Sequence, residues 1–141
     1  MMRFAVCRVS LVLVSLYVLN VERLSAAELF PDKKLEAAIR DVLKKAEKDP
    51  LKEEDLKNVY ILHANQLGIQ NLAGLEKCFN LAEIKMADNE IADLKPLGEL
   101  KNLQSLNLSN NKISDAAPLA DLEKLQHVEL ENNQNKSLDA F

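Results

Sequence analysis

Residues 79–100 (FNLAEIKMADNEIADLKPLGEL) stack over residues 101–122 (KNLQSLNLSNNKISDAAPLADL) without a gap, and eight of the 22 positions are identical. A unit this short cannot enclose a core of its own, so successive copies must bury their apolar side chains against one another. Residues 123–141 continue in register and residues 57–78 precede them as a degenerate first copy, which gives four coils with the last incomplete. At 141 residues, 48% hydrophobic and with only 3 glycines, the chain has room for one domain and fits neither a collagen-like nor a disordered class.

The columns carry more information than the identities. Val59, Leu81, Leu103 and Leu125 align, as do Leu62, Ile84, Leu106 and Val128, and then Ala64, Met86, Leu108 and Leu130. The last two columns stand two residues apart, the spacing of a strand with alternate side chains turned inward, so the stacked coils make a parallel sheet. Asn89, Asn111 and Asn133 recur three residues beyond the third column, where a side-chain amide can satisfy backbone groups left unpaired as the chain leaves the sheet. Asn71, Asp93, Asp115 and Ser137 follow four residues later, and Pro96 and Pro118 after them, so the return arm is expected to be a short turn or 3₁₀ segment on the convex side.

The stretches LAEIKMADNEIADLKPL and LQSLNLSNNKISDAAPL resemble the leucine-rich repeat family, specifically the 22-residue class of bacterial internalin-like proteins. The resemblance covers about Phe30 to Phe141. Leu67 departs from it where an asparagine is usual, and Asn135 where an isoleucine is expected, which weakens the final half-coil. The fold it implies is α/β: a short right-handed solenoid with a parallel sheet on its concave side and an α-helical N-terminal cap.

The residues before the repeats fit such a cap. In KKLEAAIRDVLKKAEKD, Leu35, Ala38, Ile39, Val42, Leu43 and Ala46 share one helical face, with lysines, arginine and acids on the other. Asp32 is the expected N-cap with Phe30 before it, and a second short helix is expected from Pro50 or Leu51 to Leu56. A membrane-surface helix is disfavoured because Glu36, Asp41, Glu47 and Asp49 balance the lysines.

The first 27 residues read as an export signal. Arg3 and Arg8 precede Val9 to Leu19, in which nine of eleven residues are apolar, and Ser25, Ala26 and Ala27 provide a small-residue cleavage site before Glu28. The rival reading is an uncleaved anchor, the one case in which a membrane would be involved. The expected organisation is therefore residues 1–27 signal peptide, 28–56 helical cap and 57–141 repeats, in a protein that is secreted, periplasmic or at the cell surface. Beyond residue 27 the chain keeps 15 basic and 21 acidic residues, for −6, and no basic cluster, which argues against a nucleic acid partner. Cys78 is then the one remaining cysteine, expected to be buried rather than reactive.

The outward strand positions form three columns: Ile61, Glu83, Ser105, His127; His63, Lys85, Asn107, Glu129; and Asn65, Ala87, Ser109, Glu131. Ser105 and His127 would be neighbours, the pair from which nucleophile and base could be drawn, but no oxyanion donor or enclosing pocket accompanies them. His127, Glu129 and Glu131 alternate along one strand, at a spacing too wide for a compact metal site. Neither catalytic residues nor a metal or cofactor are therefore assigned. Asn107-Leu108-Ser109 and Asn135-Lys136-Ser137 match the N-glycosylation pattern.

What remains is recognition of a protein partner through the concave face, centred on Glu83, Lys85, Ser105, Asn107, His127, Glu129 and Glu131, with protein ligands implied by the internalin-like resemblance. The second reading is a regulatory or scaffold subunit that docks, or self-associates through Leu130, Leu138 and Phe141, because the last coil leaves its apolar columns uncovered.

Overall fold

A computed structural model describes residues 29–134. The proposed signal peptide, Leu138, Phe141 and the second glycosylation match lie outside these residues. Helix α1 (Lys33–Val42) and the single turn α2 (Glu53–Leu56) precede four three-residue strands, β1 (Ile61–His63), β2 (Glu83–Lys85), β3 (Ser105–Asn107) and β4 (His127–Glu129). The strands pair in parallel in sequence order, each residue opposite the one 22 positions on: Leu62 with Ile84, Ile84 with Leu106, Leu106 with Val128. The return arms are 3₁₀ segments at Leu75–Lys77, Lys95–Glu99 and Ala117–Leu119. Among the described residues no helix is long and apolar enough to cross a membrane.

The inward columns are the core. Val59, Leu81 and Leu103, then Leu62, Ile84 and Leu106, then Ala64, Met86 and Leu108 are all buried, as are Ile69, Ile91 and Ile113 on the return path. Their counterparts in the fourth coil, Leu125, Val128 and Leu130, are only half-buried. Cys78 is fully buried, and burial together with the nearby Glu76 carboxylate pushes its thiol up to about 12, so it is inert.

Asn89 and Asn111 form the expected ladder. Each donates from Nδ2 to three carbonyls, those of Ala64, Met86 and Ala87 for Asn89 and of Met86, Leu108 and Ser109 for Asn111. Each Oδ1 accepts from the previous coil, from the N–H of Leu67 and Ile69 at Asn89 and from that of Ile91 at Asn111. Asn71, Asp93 and Asp115 each accept the N–H two residues on, at Ala73, Lys95 and Ala117, which starts the return arms.

A second, exposed ladder was not foreseen. Gln66, Asp88, Asn110 and Asn132 all take positive φ, between 54° and 60°, at the turn after each strand. Asp and Asn tolerate this left-handed conformation better than other side chains. Asn110 Nδ2 donates to Asp88 Oδ1 and Asn132 Nδ2 to Asn110 Oδ1, both at 2.8 Å.

The cap is stapled to the first coil by Asp32. Its Oδ1 accepts the N–H of Lys34 (2.9 Å) and Leu35 (3.3 Å), as an N-cap does, while Oδ2 accepts those of Gln70 (2.8 Å) and Asn71 (3.1 Å) from coil one. Gly74 seats the same junction. It holds φ 101°, and a Cβ there would lie 2.1 Å from the Leu29 carbonyl and 2.6 Å from the Phe30 ring, so the first coil carries glycine where the next two carry Pro96 and Pro118.

One expectation for the cap is corrected. The helical spacing puts Glu36 and Arg40 on the polar face, yet both are buried. Arg40 donates twice to Glu36 Oε1 and reaches the Ala46 and Asp49 carbonyls (3.0 and 2.8 Å), so it clamps the loop that turns back after Lys44, whose φ of 55° ends the helix early. A planar guanidinium satisfies that many acceptors at once, which offsets its desolvation.

Burial pushes the Asp32 carboxyl up, but its four backbone donors outweigh this and the net direction is down. Because the folded-state pKa lies below the unfolded one, the stabilisation is present above about pH 4 and is lost as pH falls through the folded pKa. Asp32→Asn, which keeps one acceptor for the helix but none for Gln70 and Asn71, is expected to cost about 1–2 kcal/mol, and Asp32→Ala about 2–3 kcal/mol. Urea denaturation at pH 7 and pH 3 checks this: the gap between wild type and Asp32→Ala should narrow at pH 3.

Candidate functional site

The outward face of the sheet gathers the residues that the repeat register placed there. Ile61, Glu83, Ser105 and His127 lie side by side, and His63, Lys85, Asn107 and Glu129 form the adjacent row. Glu131 follows β4 and is exposed. Short strands suffice because each is held by its neighbours, and their alternation sends Leu62, Ile84 and Leu106 inward while leaving the flanking polar side chains outside.

These side chains are tied across coils. Glu83 Oε1 accepts Lys85 Nζ at 2.7 Å along its own strand and meets His63 Nε2 at 2.9 Å from β1. The Lys85 ammonium first, and the His63 ring second, hold the Glu83 carboxyl below the usual carboxylate range. Asn107 donates from Nδ2 to Glu129 Oε2 and accepts the Ser109 N–H at Oδ1 (3.1 Å), so both ends of its amide are fixed. Asn65 Oδ1 accepts the Ala87 N–H at 2.9 Å.

Ser105 and His127 are register neighbours, but no hydrogen bond joins their side chains among the described residues. His127, Glu129 and Glu131 stand along an open strand and do not converge as a ligand set.

The register alone did not reveal His63 as a partner of Glu83, because that contact runs diagonally between non-opposed positions. Tyr60, Ile61 and Phe79 are large apolar side chains left 55%, 50% and 45% exposed. Tyr60 and Phe79 break otherwise polar or small columns, Ala82, Gln104, Gln126 and Lys57, Lys101, Glu123, which was the available signal. At the cap end an open groove of about 470 Å³ is bounded by Lys34, Ala38 and Asp41 of α1 and by His63, Asn65 and the exposed Leu67 of the first coil.

Residues 79–120 and 101–141 match the family model described as Leucine Rich repeats (2 copies). The chain is similar to an internalin of Listeria monocytogenes at 29% identity and a TM-score of 0.78, over 82% of this chain and 34% of that one. It is similar to the functional domain of InlJ from the same organism at 25% identity and a TM-score of 0.75, over 80% and 25% of the two chains. A structure of CBM51-2 and INT domains from Clostridium perfringens ZmpB matches at 34% identity and a TM-score of 0.54, over 60% of this chain and 18% of that one. The chain thus spans about a third and a quarter of the length of the two Listeria proteins. The InlJ domain includes a cysteine ladder, whereas the ladder here is built of asparagine. Proteins of this fold are commonly protein-binding. The repeat match over residues 79–141, the parallel sheet and the internalin likeness together bear out the resemblance to leucine-rich repeat proteins of the 22-residue internalin-like class.

Proposed function

We propose that the chain is an exported, non-catalytic binding module that recognises a protein partner through the concave sheet, with Glu83, Lys85, Ser105, Asn107, His127, Glu129 and Glu131 at the centre of the contact. The observation that carries this reading is the set of bonds, along β2 between Lys85 and Glu83 and across coils from His63 to Glu83 and from Asn107 to Glu129, that hold these side chains in place before any ligand arrives. Side chains already immobilised lose little entropy on binding.

Four strands spaced about 4.8 Å apart give an arc of roughly 15–20 Å, and three residues per strand make it about 10 Å wide, so the sheet face covers about 200 Å², well below the roughly 800 Å² that each partner of a standard interface contributes. Ile61, opposite Glu83 in the outward row, adds an exposed apolar side chain to that face. Export rests on the apolar run after Arg8 and the Ser25-Ala26-Ala27 site, and places the protein outside the cytoplasm, secreted, periplasmic or at the cell surface.

The test compares capture of cell-surface proteins by the wild-type chain, by a concave variant carrying Lys85→Glu and Glu129→Lys, and by a convex control carrying Lys95→Glu and Glu99→Lys. A protein retained by the wild type and the control, and lost with the concave variant, is the expected result. Equal retention by all three, or loss with the convex control alone, overturns the reading.

A further inference from the structure

Helix α1 turns Lys34, Ala37, Ala38 and Asp41 to one side, the spacing of neighbours on a helical face, and they make one wall of the open groove at the cap end. The other wall belongs to the first coil and includes His63 and Leu67. Leu67 stands where the later coils carry Asn89, Asn111 and Asn133. It is 43% exposed, whereas Asn89 and Asn111 are buried, so an aliphatic side chain replaces a ladder amide and lines the groove instead. The two ends of the helical wall differ in charge. Lys34 and Asp41 are seven residues apart, about 10 Å along the axis. Lys34 uses one of its three donors on the Gly68 carbonyl (3.0 Å). Among the described residues it joins no ion pair, and Asp41 pairs only with Lys44, at 3.3 Å, where both side chains are largely exposed and little of the charge is cancelled.

We propose that this groove takes an extended segment of the protein partner, with an acid toward Lys34, a base three residues away toward Asp41 and an aliphatic side chain between them on Leu67; the inference rests on the binding reading above. A helix about 10 Å across and long enough to span both charges would fill roughly 800 Å³. The groove holds about 470 Å³, the scale of a small-ligand pocket. An extended chain fits. Polyproline II advances about 3.1 Å per residue with three residues per turn, so side chains three apart point the same way about 9 Å from one another, close to the spacing of Lys34 and Asp41. A residue between them turns to the opposite wall, where Leu67 lies. Opposite charge at the two ends also fixes the direction in which the segment runs. The groove is continuous with the concave face, because His63 lines it and its Nε2 lies 2.9 Å from Glu83 Oε1. A partner seated on the short sheet thus gains further contact at the cap.

The test is an NMR titration of the isotope-labelled full chain with the N-acetylated, C-amidated peptides Glu-Pro-Leu-Lys, Glu-Pro-Leu-Glu and Lys-Pro-Leu-Lys. Wild type is expected to bind the first about fivefold more tightly than either of the others, with a shift of the Leu67 amide. Asp41→Lys should prefer Glu-Pro-Leu-Glu, and Lys34→Glu should prefer Lys-Pro-Leu-Lys. Leu67→Asn, which restores the residue of the other coils, should weaken all three about fivefold. Circular dichroism verifies that each variant folds, and Asp41→Lys keeps the test open should loss of the Lys34 bond to Gly68 disturb the cap. Equal binding of the three peptides by wild type overturns the proposal, as does a preference that neither charge substitution changes or a Leu67 amide that does not respond. The concave variant with Lys85→Glu and Glu129→Lys should hold its peptide affinity to within about twofold; loss of binding there would put the peptide on the sheet and overturn the proposal as well. Failure to capture any cell-surface protein, with the peptide preferences intact, would count against the concave reading alone.

Discussion

Replacing Asn111 by alanine is expected to lower the unfolding free energy by about 3–5 kcal/mol, much of the roughly 5–15 kcal/mol available to a domain. The Asn111 amide supplies donors to the carbonyls of Met86 (3.0 Å) and Leu108 (2.9 Å), and its oxygen takes the Ile91 N–H (3.0 Å). Truncation strands these groups between two packed coils, where each orphaned backbone group costs about 1–3 kcal/mol. Asn111→Leu restores the volume but none of the bonds, so it should be about as damaging. Asn133 makes the equivalent contacts to Leu108, Leu130 and Ile113 at a half-exposed position, where water can substitute, and Asn133→Ala should cost only about 1 kcal/mol. Guanidinium unfolding followed by circular dichroism measures all three. A loss below 1 kcal/mol for Asn111→Ala would show that the ladder does not hold the coils together.

Leu106→Ala is the second large effect, an expected loss of about 3–4 kcal/mol. Leu106 is 1% exposed and sits between Ile84 and Val128 in the sheet's inward column, so no flanking side chain can move in without abandoning its own coil. Val128→Ala removes a similar side chain from the half-buried end of the same column and should cost about 1 kcal/mol. Each coil touches only its neighbours, so the damage should be graded along the solenoid. Hydrogen exchange at the Leu106 and Val128 amides is expected to accelerate more than at Leu62. Uniform acceleration along the sheet would mean that the repeats unfold as one unit.

The contrast between these positions explains how much of the fold was legible from residues alone. Leu62, Ile84 and Leu106 are interior because a 22-residue period allows one inward face, and any residue on it must be apolar. Asn89 and Asn111 were readable for the same reason: a polar residue that recurs inside an apolar frame has to satisfy something. The site was readable only to its outline. The register set Glu83, Ser105 and His127 in one row, but the bond from His63 to Glu83 depends on side-chain reach across a diagonal. The helical position of Arg40 points to solvent, and what buries it is a loop whose course the helix pattern does not encode.

From its residues alone this chain determined the period, the side of each strand that faces the core and the capping chemistry of each turn, because all three depend on spacing within a single coil. The tertiary structure decided what depends on distant segments meeting: Asp32 closing the cap onto Gln70 and Asn71, and Gly74 yielding room to Leu29 and Phe30. Spacing dictates local geometry because backbone reach is short, whereas contacts between the cap and the first coil span 38 and 39 residues and acquire their meaning only once the intervening chain has folded.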